Sequence, residues 1–382
     1  MLAVASHDSV VALSAATVTF RIAVIPGDGV GPEVTAEALR VLRCVADADK
    51  AVDFEFKFFE WGTAHYRAHG EMMPADGLAI LREFDAILLG AVGAPDVKDY
   101  ITLRQLLIRI RFGFHQYVNL RPVRLFPGVQ SPVRTASPAT VNMTFVRENS
   151  EGEYAGSGER LFRGTNREVA LQTAVFSRAG TDLVVRWAFD RARADGASLT
   201  SVSKGNALEY SGGLWDDVVD EIAGQYPDVT VKRLLVDAAA MLMVVAPERF
   251  EVVVGSNLYA DILTDLGAAL MGSIGLGASA NINPEREFPS MFEPIHGSAP
   301  DIAGQGIANP LGAIWSAALM LGHLGQAEWE TTIVDAVAAF LASGEGRSHD
   351  LGGKASTSDV GKAVCAELSR HDPQAVSRRA PV

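Results

Sequence analysis

The run Phe250-Glu251-Val252-Val253-Val254 passes without a break into Gly255-Ser256-Asn257-Leu258-Tyr259-Ala260-Asp261-Ile262-Leu263-Thr264-Asp265-Leu266-Gly267. The β-branched run reads as a buried strand, and a helical pattern follows over 262–270. The same alternation recurs along the chain. Residues 21–25 precede a helical pattern at 32–47, 54–60 precede one at 75–83, and 86–89 follow as a strand. Further on, 199–203 precede 215–225, and 230–236 form another strand-like run. This alternation predicts an α/β protein with much parallel sheet. Residues 130–164, with short β-type runs such as 140–146 broken by glycines, predict a β-rich insertion. Residues 272–310 have little helical period and are too long for a passive connector.

A chain of 382 residues suffices for one large or two medium domains. Hydrophobic content of 48% with 21% charged residues is that of a soluble globular protein. A net charge of −13 argues against nucleic acid or an anionic membrane as partner. It leaves room for an anionic substrate held by local arginines. Cys44 and Cys365 cannot make a disulfide framework, so a reducing cytoplasm is expected. Residues 1–19 lack a basic stretch and carry His7 and Asp8, which argues against a signal peptide; a disordered extension is expected there. No 18-residue apolar run offers a transmembrane helix.

On a helix, Asp261 and Asp265 project from one face, one turn apart. Like charges at that spacing cost an isolated helix about 0.2–0.5 kcal/mol. A hard divalent cation, Mg²⁺ or Mn²⁺, would reverse the sign. The plainer alternative is a solvated face near the positive end of the helix dipole. Elsewhere, Ile25-Pro26-Gly27-Asp28-Gly29-Val30-Gly31-Pro32 invites a dinucleotide-binding reading. Its glycine spacing is wrong for a Rossmann fingerprint, leaving a tight turn with proline at the helix start.

Arg111 lies on an otherwise apolar pattern, Arg121 beside a proline, and Arg147 at the end of a buried-looking strand. Their planar forks match carboxylates bidentately, so together they could hold a small polycarboxylate. Alternatively each pairs with a nearby acid, such as Glu148. Tyr154 falls in a polar, glycine-rich loop. Lys204 and Asp237 close strands, where α/β proteins place active residues. The segment Glu293-Pro294-Ile295-His296-Gly297-Ser298-Ala299-Pro300-Asp301-Ile302-Ala303-Gly304 reads as a loop for close backbone approach to phosphates and ribose, although a lone histidine there is more often structural.

Together these motifs resemble the β-decarboxylating dehydrogenases, over about residues 21–368: the isopropylmalate, isocitrate, homoisocitrate and tartrate/D-malate dehydrogenases. The segments 116–125 and 279–286 look most like the tartrate/D-malate branch. The resemblance implies two α/β domains sharing a large mixed sheet, distinct from a Rossmann fold. Residues 20–116 with 272–382 would form the cofactor domain, and 117–271 the dimerisation and substrate/metal domain. It further implies NAD and Mg²⁺ or Mn²⁺ as cofactors, and a homodimer with shared active sites. Asp261 and Asp265 would bind metal, completed by Asp237 of the partner subunit. Arg111, Arg121 and Arg147 would clamp the substrate, with Leu107 and Asn206 alongside. Tyr154 and Lys204, the latter from the partner subunit, would handle protons. Glu293, His296, Gly297, Ser298, Ala299, Asp301, Ile302 and Asn309 would take the cofactor; an acid at Asp301 resembles the NAD users.

The implied reaction is oxidation of a malate-type 2-hydroxy acid followed by loss of its β-carboxyl, with D-malate or tartrate favoured. Lys204 would accept the hydroxyl proton and Tyr154 protonate the enolate. The chain departs from the pattern at Leu103-Arg104-Gln105-Leu106-Leu107-Ile108. Tartrate/D-malate relatives typically carry tryptophan there, and isopropylmalate enzymes a glutamate followed by leucines. Arg104 could meet an anion or reach solvent. The leucine pair keeps isopropylmalate oxidation as an alternative, and a non-catalytic dimeric scaffold as a more distant one.

Overall fold

The computed structural model describes residues 17–370. The extension expected at 1–19 lies mostly outside the described residues. Its last two positions belong instead to β1 (Val18–Gly27), where Val18 pairs with Val52. β1 leads into α1 (Gly31–Ala48), β2 (Val52–Phe58), the short helices α2 (Thr63–His69) and α3 (Gly77–Leu81), and β3 (Ala86–Ala91). A broken helical stretch follows: α4 (Asp99–Thr102), a π-helical turn (Leu103–Leu107) and α5 (Ile108–Gly113). Next come β4 (Val118–Arg124), β5 (Asn142–Glu148), β6 (Gly152–Leu161), β7 (Val169–Val175) and α6 (Arg178–Asp195). The chain continues through β8 (Leu199–Ser203), α7 (Ser211–Ala223), β9 (Val231–Leu235), α8 (Val236–Val245), β10 (Val252–Gly255) and α9 (Asn257–Leu270). It closes with β11 (Ala278–Ile282), β12 (Ser290–Pro294), α10 (Leu311–His323), α11 (Ala327–Ser343) and α12 (Thr357–Arg370).

Among the described residues, ten strands form one sheet in the order β2-β1-β3-β12-β11-β4-β5-β10-β8-β9. β11 runs antiparallel to both its neighbours and β4 antiparallel to β5; the other pairs are parallel. This is the large mixed α/β sheet that the resemblance implies. Strands β3, β8, β10, β11 and β12 are buried along their whole length, which is why they read as unbroken apolar or small-residue runs. α10 is buried from Leu311 to Leu321 against that sheet, and α1 packs on it in turn. Burying one such leucine or isoleucine contributes roughly 1.5–3 kcal/mol.

Two expectations are corrected. Residues 142–148, read as part of an insertion, are β5 in the middle of the main sheet, because Phe145 and Val146 are wholly buried between β4 and β10. The separate β-ribbon pairs β6, which falls inside the expected 130–164, with β7 beyond it; β7 is almost entirely exposed and offered no burial pattern to read. Residues 272–310 are not one long loop, since β11 and β12 complete the sheet within them. The glycine turn behaves as expected: Gly27 and Gly29 take φ of +70° and +58°, and Pro32 opens α1.

Candidate active site

The middle of β4, at Arg121, and the carboxyl end of the antiparallel β5, at Arg147, face the first turns of α9. β5 pairs with β10, so the β10–α9 turn sits directly beside Arg147. Ser256 precedes α9, and Asn257 in its first turn accepts from Arg147 Nε at 3.0 Å and Nη2 at 2.7 Å. Arg147 Nη1 donates to Asp261 Oδ1 one turn later. Arg121 on β4 reaches the same oxygen through Nη1 at 3.1 Å, and donates to Thr264 Oγ1 and Asn119 Oδ1, each at 2.7 Å. Tyr154 Oη donates to the other oxygen, Asp261 Oδ2, at 3.0 Å.

Arg111 on α5 lies across the cleft and donates to Glu293 Oε1 on β12 at 2.7 Å. Asn281 donates to the same oxygen at 2.8 Å. A cavity of about 240 Å³ opens between these groups, with Leu103, Leu107 and Ile108 on one wall and His296 and Gly297 on another. Three polar atoms at this cavity, Arg111 Nε, Asn149 Oδ1 and His296 Nε2, are buried without a partner among the described residues. Such atoms cost about 1–3 kcal/mol each when left unmade, so their persistence in a cavity points to a ligand that meets them.

Electrostatically the site favours an anion: three guanidinium charges face two carboxylates. Burial lowers Arg147 to about 9, helped by the neighbouring Arg121 charge. Burial also lowers Arg121. For Asp261, burial acts upward, but Arg147, Arg121 and the Tyr154 hydroxyl outweigh it and hold the carboxyl below the usual range. Asp265, although its side chain reaches solvent, is raised by partial desolvation and then by the Asp261 charge. Tyr154 is raised by burial and by Asp261, so its proton stays on through neutral pH.

The structure gathers Leu107, Arg111, Arg121, Arg147, Tyr154, Asp261, Glu293, His296 and Gly297 around one cavity. Each arginine does pair with an acid, but with the site acids; Glu148 instead accepts the backbone N–H of Ser150 and Glu151. Tyr154 is not in a loop: it lies half-buried on β6. Asp237 does not close a strand, because the helix begins at once and places it in the first turn of α8.

Other residues stay outside the cavity. Lys204 donates to Asp237 Oδ1 at 2.6 Å, on the far side of α9 near Ser256 and Tyr259. Asn206 is exposed in the turn after β8. Asp265 is exposed one turn beyond Asp261, without a hydrogen-bond partner among the described residues. Within one chain, no cluster of three His, Cys, Asp or Glu side chains able to hold a metal occurs among the described residues.

Ser298 accepts from Val30 N at 2.8 Å, and a Cβ on Gly29 would stand 1.9 Å from its oxygen, so this loop rests on the glycine turn. Ala299 follows in the left-handed region, with Asp301 exposed and Ile302 half-buried. Asn309 faces away: it caps Leu311 N at 3.0 Å and donates to Asp350 at 2.9 Å. No sequence pattern marks Asn119, Asn149 and Asn281, which link β4, the end of β5 and β11 beneath the arginines, or Asn257 on α9, which holds Arg147. Glu33 was also missed, although it opens α1 directly after the glycine turn and accepts Gly304 N at 2.6 Å.

A family model described as isocitrate/isopropylmalate dehydrogenase matches residues 21–364. A probable tartrate dehydrogenase/decarboxylase of Agrobacterium vitis is 48% identical over 92% of this chain and 98% of its own. The 3-isopropylmalate dehydrogenase of Thermobifida fusca is 50% identical over the same shares, 92% and 98%. Among solved structures, isocitrate dehydrogenase from Methylococcus capsulatus superposes with a TM-score of 0.83 at 34% identity, covering 91% of this chain and 99% of that one.

Proposed function

This chain belongs to the isocitrate/isopropylmalate dehydrogenase family and is a β-decarboxylating dehydrogenase; from that premise we propose that it oxidises a malate-type 2-hydroxy acid, D-malate or tartrate, using NAD and a divalent cation. The observation that carries the reading is the single Asp261 carboxylate held by Arg121, Arg147 and Tyr154 at the cavity that Arg111 also reaches.

The donor set fits a hard cation. Asp261 and Asp265 share one helix face, and Asp265 has no competing hydrogen-bond partner among the described residues. Among the described residues of one chain the set is incomplete, so we assign the third carboxylate to Asp237 of the partner subunit. Exposed apolar side chains support a homodimer: Met241, Val244 and Val245 on α8, the helix that bears Asp237, and Ile262 on the adjoining α9. Docking through these helices would bring Lys204 and Asp237 of one copy to the cleft of the other. A cytoplasmic setting follows from the cysteine usage; among the described residues no helix is long and apolar enough to cross a membrane.

When bound, the cation would supply Lewis-acid polarisation and the dinucleotide a hydride acceptor. The chain's own residues bind and move protons. Arg111, Arg121 and Arg147 meet the substrate carboxylates with pre-oriented forks. Lys204 of the partner subunit takes the hydroxyl proton. Tyr154, kept protonated, returns a proton to carbon after CO₂ departs. Val92, Glu293 and Ile295 to Gly297 adjoin the same cavity, which supports a nicotinamide there, with Ser298, Ala299, Asp301 and Ile302 extending towards the adenosine.

Isopropylmalate is the second reading, favoured by the apolar wall of Leu103, Leu107 and Ile108. Arg104 does not line the cavity; it is exposed, with its guanidinium against Gly156 on β6. Steady-state kinetics with D-malate, tartrate, isopropylmalate and isocitrate, using NAD and Mn²⁺, decide between them. The proposal predicts the highest kcat/KM for D-malate or tartrate; isopropylmalate ahead by about tenfold, or 1.4 kcal/mol in transition-state binding, would overturn it.

A further inference from the structure

Cys44 on α1 and Cys365 on α12 are 321 positions apart in sequence, yet their sulfurs stand 2.7 Å apart. Both thiols are free and half-buried, within reach of a small oxidant. A disulfide needs about 2.05 Å between sulfurs, so closure asks for little movement. We propose that Cys44 and Cys365 form an oxidation site, a dithiol that hydrogen peroxide converts to a bridge tying α1 to α12.

The steps balance. The Cys44 thiolate attacks a peroxide oxygen, the O–O bond breaks, and the departing hydroxide takes a proton to leave as water. The resulting Cys44 sulfenic acid is attacked by the Cys365 sulfur; the S–S bond forms, the S–O bond breaks, and a second water leaves with the Cys365 proton. Two electrons pass from the thiol pair to one peroxide. The division of roles has a physical basis. Cys44 is lowered to about 7 by the hydrogen bond it shares with Cys365, with Arg40 adding to the effect against burial and Asp47. Cys365 is raised for the converse reason, which leaves it to resolve the sulfenic acid.

Both helices grip one loop at their N-terminal ends. Glu33 on α1 accepts Gly304 N at 2.6 Å. Thr357 on α12 donates from N to Gly306 O at 2.8 Å and from Oγ1 to Ala308 O at 2.7 Å. A bond between α1 and α12 restricts their separation, and with it the opening of residues 304–308. Any effect on dinucleotide affinity rests on the reading given above; amide exchange in the loop does not, and needs no turnover.

The test treats the reduced full-length protein with hydrogen peroxide. The expected result is loss of both free thiols, an intact mass lower by two hydrogens, and a Cys44–Cys365 cross-linked peptide that dithiothreitol reverses. Amide exchange at 304–308 slows and the unfolding temperature rises. Cys365→Ser stops at a Cys44 sulfenic acid that dimedone traps, while Cys44→Ser loses the fast reaction. Persistence of both thiols, bridging only between chains, oxygen gained at Cys44 while Cys365 stays free in the parent protein, or a Cys44→Ser protein that reacts as fast as its parent would each overturn the site. Unchanged exchange in the bridged protein would overturn the coupling to the loop.

Discussion

Tyr154 donates its phenolic hydrogen to Asp261 Oδ2 at 3.0 Å, while the other oxygen of that carboxylate carries Arg121 and Arg147. One side chain thus organises a proton donor and two anion-binding cations. Removing the tyrosine hydroxyl should separate chemistry from folding. Tyr154→Phe is expected to lower kcat by about 10²–10⁴, the usual worth of a positioned acid. Its stability cost should stay near 0.5–1.5 kcal/mol, one hydrogen bond at a half-buried position. Paired steady-state kinetics and urea unfolding measure both, and a kcat within threefold of the parent would remove Tyr154 from the chemistry.

Asp265 separates metal binding from stability in the opposite sense. Its carboxyl is raised by burial and by Asp261, so its charge is a burden on the metal-free chain. Asp265→Asn should therefore leave the metal-free stability unchanged or raise it slightly, by about 0.2–0.5 kcal/mol of relieved repulsion. Mn²⁺ at 100 times its dissociation constant should stabilise the parent by about 2.7 kcal/mol. The variant should lose most of that gain in a thermal-shift titration; an undiminished shift would place the cation elsewhere.

His323 at the end of α10 sets an acid limit on stability. Burial, then the Arg286 charge, lowers it to about 4, while its ring packs on Phe292. The unfolded histidine binds its proton near pH 6.5 and the folded one near 4, so the unfolded state holds more protons in between. The contribution of this histidine is full above about pH 6.5 and is lost as pH drops towards 4, about 3 kcal/mol in all. Urea midpoints across that range should show the slope in the parent and a shallower one in His323→Phe. Parallel curves would show that another group carries it.

Much of the fold and part of the site were legible in the sequence, for local reasons. The spacing of Asp261 and Asp265 placed both on α9, and the proline beside the glycine turn marked the start of α1. What stayed hidden depends on contacts between distant segments. Asn119 donates to Ser279 and Asn281, about 160 positions away, and no period records such a pair. β7 carries exposed residues on a free ribbon, so no alternation announced it, whereas its partner β6 fell within the β-rich stretch expected at 130–164. The strand-end reading of Asp237 failed because β9 meets α8 without a turn residue between them.

The central claim is that one chain builds an incomplete cleft, which Lys204 and Asp237 of a second copy complete. Mixing two inactive variants tests it most directly. Lys204→Ala and Tyr154→Phe, co-refolded in equal amounts, form mixed dimers in which one site carries both substitutions and the other carries neither. With half the dimers mixed, activity should return to about a quarter of the parent's. Mixed dimers verified by mass, yet no more active than either variant alone, would contradict the shared site.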